Sequence, residues 1–200
     1  MDASIVDYFK LKTVMAKKNY RFYSDPFDIN IFGIRATNPI VNTFCDLLGV
    51  AYTDENGKPQ IMIAPATTDP GFYWLENPMN IAGTAIVVPG QYHSLWTPGL
   101  HSGYRALIQS GNIKVYRDRN KNDVLDMDPS TIQEGEFGID NHHALDQAAP
   151  TPTVGKFSAG CQVWAILADF LAMMGLVDKQ IAAGLGSLFS YSLLEEQDFE

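Results

Sequence analysis

His142-His143-Ala144 is followed, after an interval holding Pro150 and Pro152, by Ser158-Ala159-Gly160-Cys161-Gln162, and fifteen residues separate His142 from Ser158. A thiol attacks a carbonyl only as thiolate, and at its ordinary pKa of about 8.5 only a few per cent is ionised near neutrality. Three aids to ionisation are legible here. His142 or His143 can take the proton. The small residues Ser158, Ala159 and Gly160 let backbone approach a substrate carbonyl. A helical pattern starts just after Cys161, and the positive end of such a helix favours the thiolate.

These two segments resemble the active-site signature of the L,D-transpeptidase (YkuD-like) family, in which a histidine precedes Ser/Thr-His-Gly-Cys by a similar interval. The resemblance implies that Cys161 is the nucleophile, Gly160 the motif glycine, Ser158 the motif serine and His142 the upstream histidine. Ala159 departs from the pattern, because the family usually carries a second histidine there. Gly138-Ile139-Asp140-Asn141-His142 together with Ser158 to Gln162 is also similar to a phage and Bacteroidetes-like branch. Thr67-Thr68-Asp69-Pro70-Gly71-Phe72-Tyr73-Trp74 is similar to the family's Thr-Pro-x-Gly-x-Phe/Tyr segment; a Pro-Gly turn closed by aromatic packing is its other reading.

The resemblance covers residues 28–175 and implies a mainly β, α+β architecture, a curved sheet or sandwich with the cysteine at a groove. It implies cysteine-dependent acyl transfer or hydrolysis on peptidoglycan stem peptides, through a thioester and with no required cofactor. The rival reading is a non-catalytic cell-wall-binding or particle-structural protein on the same scaffold, which Ala159 favours. Under the catalytic reading, Cys161 is expected to have a depressed pKa and to alkylate fastest near neutrality.

Of the adjacent histidines, His142 fits the family pattern better and His143 is the alternative base. Adjacent side chains on an extended segment face opposite ways, so only one of them meets Cys161 easily. Gly160 would leave backbone N–H groups facing an oxyanion, and Ser158 would bond the histidine, the substrate or the loop backbone. The residue that orients the histidine is not identified by the sequence; Asp140 lies near, and a backbone carbonyl serves in the family. His93 and His101 could join His142 on zinc, but no His-Glu-x-x-His spacing is present.

A second pattern is independent of the first. Asp118, Asn120, Asn122 and Asp126 place oxygen side chains at positions 1, 3, 5 and 9 of a candidate calcium loop, with the Val124 carbonyl as a further ligand. Position 6 is Asp123 rather than glycine, and position 12 is Pro129 rather than glutamate. A solvated turn is the competing reading.

The 200 residues fit one domain: residues 1–27 as an N-terminal helix and lead-in, 28–175 as the core, and 176–200 as a closing helix and strand. A net charge of −9 argues against nucleic acid as a partner, since phosphate binding needs clustered Lys and Arg. Two cysteines are too few for a disulfide framework, so Cys45 reads as a small hydrophobe. No segment is long and apolar enough to span a membrane, and no export signal is visible at the N-terminus. A protein of this kind would be made in the cytoplasm and reach the cell wall by release, or on a delivery partner or particle. That context favours cleavage over cross-linking.

Along the chain, residues 3–18 read as an amphipathic helix with Ile5, Tyr8, Phe9, Leu11 and Met15 on one face and Lys12 interrupting it. Strands are expected at 27–35, 43–52, 60–66, 85–88, 104–109, 112–116 and 189–194, with a tight turn at Asp54-Glu55-Asn56-Gly57. Residues 91–104 read as a loop whose Trp96 and His101, together with Tyr73, form a substrate groove. Residues 145–155 read as a flap. Val163, Ile166, Leu167, Phe170, Leu171 and Met174 read as the buried face of a helix, with a second helical stretch at 178–184.

Overall fold

The computed structural model describes residues 1–145 and 153–200. It is mainly β with a few helices, arranged in two sheets. Asp7 opens α1 (Tyr8–Lys17), its carboxylate accepting from the N–H groups of Phe9 and Lys10. Strands β1 (Asn30–Arg35), β2 (Asp46–Thr53) and β3 (Pro59–Thr67) form an antiparallel meander. The β2–β3 turn is the expected one: Gly57 has φ +73, and Asp54 accepts from the backbone of Asn56 and Lys58. After α2 (Phe72–Glu76) come β4 (Thr84–Val87), β5 (Gly90–His101), β6 (Tyr104–Gln109), β7 (Ile113–Asp118), β8 (Gln133–Gly135) and β9 (Asn141–His143). The chain ends with β10 (Gln162–Trp164), α3 (Leu167–Ala182) and β11 (Phe189–Glu195).

Among the described residues, eight strands close a barrel in the order β1-β11-β5-β6-β9-β10-β3-β2, and β4-β7-β8 form a separate small sheet. A curved sheet or partly closed sandwich is the expectation from sequence; full closure is the observed result, and β5 makes it. Its first half pairs with β11 and its second half with β6. Residues 90–101 are therefore a twelve-residue strand, not a loop. Pro98 and Gly99 disguise it, yet Gly99 sits where a Cβ would lie 2.3 Å from Ile108 Cδ1, so the glycine makes room for a neighbouring side chain.

The barrel interior is filled by Trp96, Trp164, Tyr191, Phe189, Leu48 and Val50, joined by Phe170, Met173 and Val177 of α3. A second cluster lies between α1 and the outer face of β1 and β2, where Leu11, Val14 and Met15 meet Phe32, Ile34 and Leu47. Phe9 is exposed rather than on the packed face, and the Lys12 ammonium rests over the Phe22 ring at 5.5 Å. Two further corrections concern the C-terminal third. The helix starts at Leu167, after a short strand, leaving Leu171 exposed, and it runs unbroken through the stretch read as a second helix. Gln162, Val163 and Trp164 alternate across the sheet, a period of two that outweighs the helical spacing of the apolar residues. Most of the expected flap at 145–155 lies outside the described residues. Among the described residues no helix is long and apolar enough to cross a membrane.

Gly49 fixes a close approach in the first meander, since a Cβ there would lie 2.4 Å from the Phe32 ring and 2.7 Å from the Met62 carbonyl. Gly49→Ala is expected to destabilise the fold by about 1–3 kcal/mol through overpacking. Urea unfolding, with a lower midpoint at unchanged slope, is the check.

Candidate active site

The site is built by the parallel pairing of β9 with β10, in register Gln162↔Asn141, Val163↔His142 and Trp164↔His143. Partners in register share a face of the sheet, and the face alternates along each strand. Trp164 and His143 point inward, where the His143 ring lies 5.0 Å from Phe170 and 4.3 Å from Tyr104. His142 is on the opposite side with Val163, which clusters with Ala144 and Cys161 under Phe44 and Phe157. Strand parity thus separates two histidines that are adjacent in sequence.

His142 is held from several directions. Its Nδ1 is 2.8 Å from the His143 carbonyl oxygen, which fixes Nδ1 as the protonated nitrogen and leaves the lone pair on Nε2. The Tyr104 hydroxyl donates to the same carbonyl at 3.2 Å. His101 stacks on the ring with centroids 4.0 Å apart and planes 13° from parallel, and His101 Nδ1 is itself 2.8 Å from Asp140 Oδ2. Asp140 is tied down by the Gln109 N–H. Nε2 of His142 is buried and has no hydrogen-bond partner among the described residues. Burial first, and then the neighbouring His101, push the His142 pKa down to about 4, against the pull of the His143 carbonyl and Asp140.

Cys161 is buried, and its Sγ lies 3.4 Å from the Gly138 carbonyl. Burial pushes its thiol up to about 12; the Asp140 backbone opposes that rise and the Asp140 carboxylate adds to it. The expectation of a thiolate prepared by a helix starting just after Cys161 is not met: β10 stands between Cys161 and α3, which begins at Leu167. Cys45 is also a free thiol, so no disulfide consumes Cys161.

Ser158 works on backbone rather than on the histidine. Its hydroxyl donates to the Cys161 carbonyl at 2.8 Å and accepts the Gly160 N–H at 3.2 Å. The Gly160 N–H is therefore already engaged, and the glycine is needed for another reason. Its φ is +127, and a Cβ would lie 2.7 Å from the Ala85 carbonyl. Of the residues expected to line a groove, His101 stacks on His142, Tyr73 meets Lys156 of the cysteine loop, and Trp96 lies elsewhere. Trp96 is fully buried inside the barrel, its indole donating to the Ile139 carbonyl, because it falls on the inward parity of β5. Tyr73 is half-exposed under the Lys156 ammonium at 4.1 Å. The segment 71–74 is tied to the cysteine loop by Gly71 N–H to the Ser158 carbonyl and by the Trp74 indole to the Lys156 carbonyl.

Several contributors escape sequence reasoning. Asn42 accepts from the N–H groups of Gly155 and Phe72, joining three segments at the rim. Gln162 reaches inward, its amide donating to the Gly160 and Thr68 carbonyls and its oxygen accepting from Tyr191. Arg35 is buried against Asp69 at 2.8 Å and donates to Thr68, while Asp46 accepts from the Thr68 N–H and hydroxyl. Burial raises the Asp69 pKa despite Arg35. The available signal was Arg35 itself, a charge ending an apolar strand.

Zinc finds no cluster here. His101 and His142 lie face to face rather than converging, His93 meets Tyr23, and among the described residues no three His, Cys, Asp or Glu side chains form a metal-holding group. Compared with models of known families, with curated proteins and with solved structures, the chain gives no match.

The depressed His142 pKa makes a stability prediction. Its folded value of about 4 lies below the ordinary 6.5, so between those values the unfolded chain binds more protons and stability falls as pH is lowered. The contribution, fully present above pH 6.5, is on the order of 3 kcal/mol. Denaturation midpoints measured from pH 7 to pH 4 should fall more steeply for the wild type than for His142→Gln.

Proposed function

We propose that the chain is a cysteine-dependent enzyme of L,D-transpeptidase-like type, acting on peptidoglycan stem peptides by acyl transfer or hydrolysis. The observation that carries this reading is that Val163, the in-register partner of His142, packs with Cys161 while His142 Nδ1 is committed to a backbone carbonyl. That leaves Nε2 as the free base nitrogen, which in the reaction takes the thiol proton now directed at the Gly138 carbonyl. With the imidazole pKa near 4 and the thiol near 12, both groups are neutral at working pH. Proton transfer therefore accompanies attack rather than preceding it. The Cys161 sulfur adds to the amide carbonyl as its proton passes to His142 Nε2. The C–N bond then breaks, the amine takes that proton, and a thioester remains on Cys161. Water or a second amine, deprotonated by His142, resolves the thioester and restores the thiol.

The burial of Cys161 favours a second reading, a wall-binding or particle-structural protein without turnover. Mass analysis of muropeptides incubated with the protein separates the two. The proposed activity gives shortened or exchanged peptides that disappear in Cys161→Ala, and an unchanged muropeptide profile supports the binding protein. Release of D-alanine or split cross-bridges without new dimers identifies a hydrolase; amine-exchanged or newly cross-linked products identify a transferase.

Two variants report on the base. His142→Ala is expected to lose about 10²–10⁴-fold in kcat/KM, whereas His143→Ala loses activity only in proportion to its loss of folded protein. The pH profile of kcat/KM should rise with a midpoint near 4 and stay level through neutrality, following the imidazole. A midpoint near 6.5 would indicate an exposed base.

A further inference from the structure

We propose that residues 118–126 form a calcium site, with oxygen ligands from Asp118, Asn120, Asn122, Asp126 and the Val124 carbonyl. The loop leaves β7, whose pairing with β4 and β8 anchors its first residue. Asp118 is fully buried there; its Oδ2 accepts the Asp126 N–H at 3.0 Å, and its Oδ1 has no hydrogen-bond partner among the described residues. The carboxyl group thus reaches across the loop to the Asp126 backbone, and the Asn120 amide donates to the Asp126 carboxylate. Positions 1 and 3 are thereby both tied to position 9. Asn120 and Asn122 oxygens each accept one backbone N–H, from Asn122 and Val124. An amide oxygen has two lone pairs, so each can still serve a cation.

A buried carboxylate with one unsatisfied oxygen carries an uncompensated desolvation cost. A divalent cation would satisfy that oxygen and offset the repulsion between the Asp118 and Asp126 carboxylates. The donor set decides which cation. Two carboxylates, two carboxamides and a carbonyl are hard oxygens without nitrogen or sulfur, which disfavours zinc, and a flexible oxygen loop suits calcium better than the strict octahedron of magnesium. With only two carboxylates and Pro129 where a bidentate glutamate would stand, the affinity belongs to the weak class, Kd about 10⁻⁴–10⁻³ M.

Chelator-treated protein melted with and without 5 mM calcium, against 5 mM magnesium, tests the site. At about 5–50 times Kd, calcium should raise Tm by about 2–9 °C, with magnesium well below that. Asp118→Asn should lose the shift. Because Asp118 is buried, Asn122→Ala, at an exposed side chain, provides a variant that keeps the fold, and calorimetric calcium titration of it should show at least tenfold weaker binding. No shift in the wild type, an equal shift with magnesium, or unchanged calcium affinity in Asn122→Ala would overturn the assignment.

Discussion

The proposed active site depends on three residues of β9 lying parallel to three residues of β10. Because side chains alternate across a strand, a slip of one residue would exchange His142 for His143 beside Cys161 and turn the inner residues outward. The register is therefore specified from both faces. Trp164 fills the barrel and its indole donates to the Asn141 amide oxygen at 2.8 Å; the Ala144 N–H donates to the Trp164 carbonyl. Neither interaction survives a slip. A short ladder of this kind has few hydrogen bonds of its own, so the large buried indole supplies the specificity that the backbone alone lacks.

The electrostatics of the outer face follow from the same burial. A thiol raised to about 12 and an imidazole lowered to about 4 form a neutral pair, not a thiolate–imidazolium pair. Burial disfavours whichever form is charged, which lowers a base and raises an acid by one cause. In the proposed reaction the charge appears only as the sulfur commits to the carbonyl, and the fixed partners of His142 are then already in place. The His143 carbonyl and the Asp140 carboxylate, the two groups that favour the charged ring, face an imidazolium without needing to reorganise.

The strands with clean alternation or a run of β-branched residues were legible in the sequence, as were the Asn56-Gly57 turn and the last strand. The motif residues were legible as a set, but their division of labour was not. Ser158 turned out to serve the loop backbone, and Trp96 the core, because neither hydrogen-bond direction nor inward parity can be read before the register is known. The loop expectation for 91–104 failed on composition. Pro, Gly and His are ordinary signs of irregular structure, and here Gly99 instead admits the Ile108 side chain between paired strands. The helix expected at Val163 failed because three strand residues joined to a helix mimic one longer helical face when apolar residues occupy both.

The inner face explains why charged residues and an amide are spent inside a barrel. Arg35 binds Asp69 and both donor-accepting atoms of Thr68, Asp46 takes the Thr68 N–H, and Gln162 links Thr68 to Gly160 and Tyr191. A hydrophobic filling of similar volume could stabilise a barrel equally well. What it would not do is fix the carbonyls of Thr68 and Gly160, the two points between which the cysteine segment is strung. The outer face alone could not do so either, since Phe44, Phe157 and Val163 offer only non-directional contacts to Cys161. The directional bonds on the hidden side of Gln162 hold the residue whose neighbour, one position earlier, presents the thiol on the other.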